Sequence, residues 1–160
     1  MNVVNMAKKY VYFTTPYLII SDEMERELTM AVKRGVDVRI ITPGIPDKKA
    51  VYEVTRSNYS DLVKAGVRIY EYTPGFIHAK ECICDDELAA IGTINLDYRS
   101  LYLHFENGVL LYHCSAVNDM RQDFEETLAV SKEITAEYQK KQKLSVRMRR
   151  GLLRVFAPLL

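Results

Sequence analysis

Alternation of short strand-like runs with capped helical stretches constrains this chain more than any other feature. Tyr10-Val11-Tyr12-Phe13-Thr14 is β-branched and aromatic, and Pro16 closes it, so it reads as a strand. Ser21 or Asp22 can cap a helix through Met24, Leu28, Met30, Ala31 and Val32 that Gly35 stops. Val36–Ile41 is a second strand, ended by Pro43-Gly44. Asp47 can cap a second helix carrying Val51, Val54, Tyr59, Leu62 and Val63, which Gly66 ends. Val67–Tyr72 is a third strand. This spacing predicts parallel strand–helix–strand units with helices packed on a sheet.

Further strands follow with no long helix between them, at Ile77–Cys84, Ala89–Ile91 and Gly108–Tyr112. The sheet is therefore expected to be mixed. From about Ala116 to Gln142 the pattern turns helical, with Met120, Phe124, Leu128 and Ile134 near one face. The fold class expected is α/β, a mixed β-sheet flanked by helices on both faces. Asn2–Ala7, followed by Lys8-Lys9, reads as the last turns of a helix feeding a strand, so the chain is expected to begin inside a larger architecture.

A net charge of +1 conceals a division. From Tyr138 to Leu160 there are seven Lys or Arg and no acid, leaving 15 basic against 21 acidic residues before them. The chain thus divides into an acidic body, 1–137, and a basic tail, 138–160. In the tail Leu144, Met148, Leu152, Val155 or Phe156, and Leu159 recur at spacings of three and four. Lys140, Lys143, Arg147, Arg150 and Arg154 form a neighbouring stripe. Such a helix suits an anionic bilayer surface, at ~1 kcal/mol per basic side chain. The alternative is a helix that docks on the body or on another domain. Gly151 weakens the helix and Pro158 ends it.

Residues 1–9 show no secretory leader, and the apolar run Tyr10–Ile20 falls short of the ~20 residues of a membrane span. Cys82, Cys84 and Cys114 form no disulfide framework and read as reduced thiols. Cys82-x-Cys84 lacks a second ligand pair nearby, and no metal is expected.

The chemistry is concentrated in eighteen residues, with His78, Lys80, Asp85, Gly92-Thr93 and Asn95 at fixed offsets. On a strand His78 and Lys80 point the same way, as they must to touch one phosphate. Lys80 supplies positive charge to non-bridging oxygens, the Asn95 amide and Thr93 hydroxyl supply hydrogen bonds, and Gly92 permits close backbone approach. His78 can attack phosphorus as a nucleophile or protonate a leaving alkoxide. Either role needs control of its tautomer, for which Glu106 is a candidate, acting on His78 or on the histidine of a second half. Asp85 is expected to fix the loop beside the strand. His104 and His113, in apolar surroundings, read as core histidines.

The spacing H-x-K-x4-D-x6-G-T-x-N resembles the signature of the phospholipase D superfamily, with Thr93 where that signature usually has Ser. The stretch Ile91–Gly108, the Thr14-Thr15-Pro16-Tyr17 segment and the basic, Leu-rich end resemble the C-terminal half of bacterial cardiolipin synthases. The resemblance implies a two-motif active site, completed by an N-terminal half or a homodimer mate. It implies metal-independent, cofactor-free transfer of a phosphatidyl group from one phosphatidylglycerol to another, through a phosphohistidine. By that resemblance His78, Lys80 and Asn95 are catalytic, with His78 favoured as proton donor. Asp85 and Thr93 belong to the motif, and Glu106 orients an imidazole. It also implies peripheral placement at the cytoplasmic face of the membrane, with this segment inactive alone.

Two other readings stay open. A phosphodiesterase acting on nucleic acid is disfavoured, because the body is acidic and no basic face with interleaved aromatics is visible outside the tail. A non-catalytic half that completes a partner is opposed by the intact His78, Lys80 and Asn95.

Overall fold

The structure, a computed structural model, describes residues 1–139. The amphipathic helix expected in the tail lies outside the described residues. The chain begins with α1 (Asn2–Met6), β1 (Tyr10–Thr14), β2 (Leu18–Ile19) and α2 (Asp22–Lys33). There follow β3 (Asp37–Pro43), α3 (Lys49–Ala65), β4 (Arg68–Tyr72), β5 (Glu81–Cys84) and β6 (Leu88–Gly92). Then come β7 (Leu96–Asp97), a π-helical turn (Arg99–Leu103), β8 (Gly108–Tyr112), α4 (Ser115–Ala129), β9 (Ser131–Glu133) and α5 (Thr135–Gln139).

Seven strands form one sheet in the order β8-β6-β5-β1-β3-β4-β9, and β2 pairs separately with β7. The central strands β1, β3 and β4 are parallel, as the helix-connected spacing requires, and the outer strands are antiparallel. The sheet is mixed, with helices on both faces.

β1 is buried along its whole length because each face has its own cover. Val11 and Phe13 join Met24 and Leu28 of α2, Tyr59 and Leu62 of α3, and Tyr138 of α5 in one core. Tyr10 and Tyr12 point the other way, where Phe124 of α4 stacks on Tyr12 with ring centroids 4.9 Å apart. Cys82 and Cys84 share the first face and are buried. Ser21 caps α2 by accepting the Met24 N–H, and α3 ends at Gly66, whose φ of +104° only glycine adopts cheaply.

Four expectations change. Asp47 does not cap α3: the cap position is Lys48, and Asp47 accepts the Lys48 N–H at 2.7 Å and the Tyr17 hydroxyl at 2.6 Å. It sits one residue too early to reach the free N–H groups of the first turn.

The strand expected at Ile77–Cys84 starts only at Glu81. Its neighbours give out there, because Glu81 faces Thr14, the last residue of β1, and Ile91, the second-last of β6. Residues 77–80 run on beyond the sheet.

The helix expected over 116–142 is broken by β9, which fills the open edge of β4. Ile134 therefore packs on the opposite face from Phe124. Tyr138, taken as the first residue of the tail, is buried edge-on against Tyr59. The body reaches at least to Gln139.

Candidate active site

The motif residues other than Asp85 lie where the parallel strands end. Ligands of open α/β sheets bind outside the carboxyl ends of the strands, and residues 77–80 leave the sheet at the carboxyl end of β1. Thr14 anchors the exit by donating its hydroxyl to the buried Glu81 carboxylate at 2.7 Å. Burial raises the Glu81 pKa, and the Thr14 hydrogen bond opposes this.

His78 is exposed, with its ring beside Phe76. Lys80 is partly buried, and its ammonium folds back to donate to the His78 carbonyl at 2.7 Å. Burial lowers the Lys80 pKa against the opposing pull of Glu106 and Asp97. Lys80 is therefore electrostatically coupled to both carboxylates.

β6 ends at Gly92, where a Cβ would lie 2.2 Å from the Asn107 carbonyl oxygen and 2.6 Å from the Gly108 Cα. Only glycine lets β6 and β8 close to this distance. The contact brings Thr93 against the 106–107 turn: the Thr93 hydroxyl donates to the Glu106 carboxylate and accepts the Asn107 N–H at 2.9 Å. Bonds from Thr93 and then Ser100, with weaker help from His104 and Lys80, hold the Glu106 carboxyl below its usual range.

Asn95 lies on the segment between β6 and β7. Thr15, just past β1, holds that segment by accepting the Leu96 N–H at 3.2 Å. The Asn95 Nδ2 donates to Ser100 Oγ at 3.2 Å, while Oδ1 is buried without a partner. Asn95, Asp97, Ser100 and Glu106 line one cleft of about 250 Å³ with Tyr17 and His104. A second, apolar hollow of about 330 Å³ has Lys80 in its wall, with Gly92, Ile94, Val109 and Leu110.

Lys80, Thr93, Asn95 and Glu106 are thus brought together. No hydrogen bond joins His78 to Glu106 among the described residues. Asp85 is not brought to the site. It follows β5 at the opposite end from Lys80, ~16 Å away along an extended chain. Its carboxylate accepts the N–H groups of Lys8, Lys9 and Tyr10 at 2.7, 2.9 and 2.8 Å. Partial burial opposes its charge, but the three N–H groups outweigh it and lower its pKa.

His104 and His113 are not core residues. Both are exposed, because residues 103–106 lie off the sheet and His113 follows the edge strand β8. Among the described residues, no three or more His, Cys, Asp or Glu side chains gather to hold a metal.

Sequence reasoning missed Asp97 and Ser100. Asp97 is buried and accepts the Ser100 N–H at 2.8 Å, opening the π-helical turn. The signal was present as Asp-x-x-Ser, an acceptor three residues before a helical N–H.

Residues 1–128 match the family model described as "Cardiolipin synthase, PLD-like domain". The chain belongs to this family. It is 40% identical over 154 residues to cardiolipin synthase 2 of Bacillus cereus, covering 96% of this chain and 30% of that protein. The fold is shared with Nuc of Salmonella typhimurium, a phospholipase D family member, at a TM-score of 0.72 and 16% identity over 82% of this chain and 86% of that one. It is shared also with the phosphatidylserine synthase of Haemophilus influenzae, at a TM-score of 0.76 and 18% identity over 99% of this chain and 41% of that one. The chain spans about a third of the length of the curated relatives it matches. It is a cardiolipin synthase-like member of the phospholipase D superfamily.

Proposed function

We propose that this chain is one catalytic half of a phosphatidyl transferase that converts two phosphatidylglycerol molecules into cardiolipin and glycerol. The observation that carries the reading is that Asn95 and Glu106 share one cleft, while Lys80, drawn by the Glu106 charge, is bonded to the carbonyl of the exposed His78. An imidazole attacks phosphorus and forms a P–N bond as the P–O bond to the departing glycerol breaks. A second imidazole gives that alkoxide its proton. A hydroxyl of the second phosphatidylglycerol then attacks phosphorus, loses its proton to the same imidazole and releases the first. His78 takes the proton-carrying role, and the nucleophile comes from a second motif-bearing half, in the same polypeptide or in a partner copy. Lys80 and the Asn95 amide stabilise the oxygens on which charge grows, an effect of roughly 3–4 kcal/mol per well-aimed donor.

Among the described residues no helix is long and apolar enough to cross a membrane. The basic tail is the segment proposed to meet an anionic lipid surface. Flotation with vesicles tests this: recovery on anionic but not neutral vesicles is expected, and equal recovery on both rejects it.

The reaction is tested by supplying phosphatidylglycerol vesicles to the chain, with and without a second motif-bearing half, and resolving the products. Cardiolipin and glycerol in equal amounts are expected when both halves are present. Phosphatidic acid and glycerol without cardiolipin would reassign the protein as a hydrolase.

A further inference from the structure

Residues 92–97 sort their side chains by polarity onto two sides. Gly92, Ile94 and Leu96 line the apolar hollow of about 330 Å³, and Asn95 and Asp97 line the cleft of about 250 Å³. Thr93 goes with the second group, since its hydroxyl donates to Glu106 of that cleft. Successive residues of an extended segment point to opposite sides, so a single thickness of chain divides an oily compartment from a polar one. Phe13, Cys82 and Leu96, each no more than 8% exposed, form the floor of the hollow. Ile94, Val109 and Leu110, 44% to 64% exposed, form its rim. Hydrocarbon left open to water at the rim is a cost that an apolar occupant removes. Lys80 stands in the wall beside the head of the partition, because its carbonyl accepts the Gly92 N–H at 3.2 Å. Glu81 also lines the hollow, but its carboxylate is turned to the Thr14 hydroxyl at 2.7 Å. An incoming molecule therefore meets a cation next to apolar walls.

We propose that the hollow is the subsite for the first methylenes of one acyl chain of the phosphatidyl group, and that residues 92–97 are the partition that sends the headgroup hydroxyls to the polar cleft. The proposal rests on the reading of Lys80 and Asn95 as phosphoryl ligands. A phosphate diester held between them carries glycerol hydroxyls on one ester arm and acyl chains on the other. The two arms leave phosphorus in different directions. In the cleft the acyl arm would set methylenes against Asp97 and Glu106, whereas each methylene buried in the hollow tightens binding about fourfold. The volume lies at the small end of ligand sites and suits part of one chain rather than two whole ones.

The test is a titration of the labelled 160-residue chain, followed by ¹H–¹⁵N spectroscopy, with inorganic phosphate and with ethyl, butyl, hexyl and octyl phosphate below their micelle concentrations. All are expected to move the Asn95 side-chain signals, identified by their loss in Asn95→Asp. Only the longer chains move the Ala90 and Leu110 amides, and affinity rises by up to about fourfold per methylene until the hollow is full. Ala90 is half-buried in the wall, and Ala90→Leu fills the space. That variant is expected to bind inorganic phosphate within about twofold of wild type and octyl phosphate at least about tenfold more weakly. Should it not fold, Leu110→Asp decides, because Leu110 is an exposed residue of the edge strand β8: the same loss for octyl phosphate supports the proposal. Equal affinity from ethyl to octyl phosphate overturns it, as does a length dependence that survives in the folded variant. If inorganic phosphate moves nothing at Asn95 while octyl phosphate still moves Ala90 and Leu110, the phosphoryl reading falls and the hydrocarbon subsite stands. Protection of the Leu110 amide that grows with protein concentration and excludes octyl phosphate would give the hollow to a second copy of the chain and overturn the proposal.

Discussion

The Thr93 hydroxyl spans the gap between two strand ends, giving its proton to Glu106 while taking the Asn107 N–H at 2.9 Å. Thr93→Ser keeps both bonds and is expected to keep activity. Thr93→Val removes the largest influence lowering the Glu106 pKa. The Glu106 pKa then rises, so the acid limb of the pH–rate profile moves to higher pH, and turnover falls about tenfold, the loss of one hydrogen bond. Steady-state rates across pH for the two variants check this.

His78 is exposed and its side chain supports no part of the core. His78→Ala is expected to lower phosphatidyl transfer by roughly 10²–10⁴-fold. Stability should stay within ~0.5 kcal/mol of wild type. Parallel transfer assays and urea denaturation measure both. Near wild-type turnover would remove His78 from the mechanism.

Asp85 ties the start of β1 to the end of β5 through three backbone N–H groups. Its folded-state pKa lies below the ordinary carboxylate value. Its contribution is therefore complete above the unfolded pKa and is lost as pH falls through the folded one. Asp85→Asn keeps the left-handed backbone at φ +56° accessible but removes the charge. It is expected to cost about 1–2 kcal/mol at neutral pH, limited by partial solvation, with the difference from wild type closing in acid. Denaturation curves at several pH values report the difference directly.

Gly92 stands where β6 and β8 touch through backbone atoms. A methyl group there meets the Asn107 carbonyl and the Gly108 Cα, neither of which can swing aside. Gly92→Ala is expected to lose about 2–3 kcal/mol and to displace Thr93 from Glu106. Thermal unfolding together with transfer rates tests it, and an unperturbed, fully active variant would contradict the geometry.

Much of the sheet was readable because strand and helix periodicity are local. Tyr10–Thr14 and Gly108–Tyr112 fall where their residue pattern places them. The strand through His78 was overextended because its length depends on partners: Thr14 and Gly92 end the neighbouring strands, and no residue between Ile77 and Lys80 carries that information. The long final helix failed for the same reason, since the free edge of β4 that recruits Ser131–Glu133 lies sixty residues away. In the site, the residue types and offsets of Lys80, Thr93, Asn95 and Glu106 were legible.

Short-range chemistry alone determined which side chains can serve a phosphoryl group and which segments extend or coil, since both follow from residues within a few positions of one another. Tertiary structure decided which motif members share a cleft. It sent Asp85 to the far end of the sheet to hold three backbone N–H groups, and it set the Thr93 hydroxyl between Glu106 and the Asn107 N–H. Hydrogen bonds and packing between distant segments make those choices, and they exist only once the chain has closed on itself.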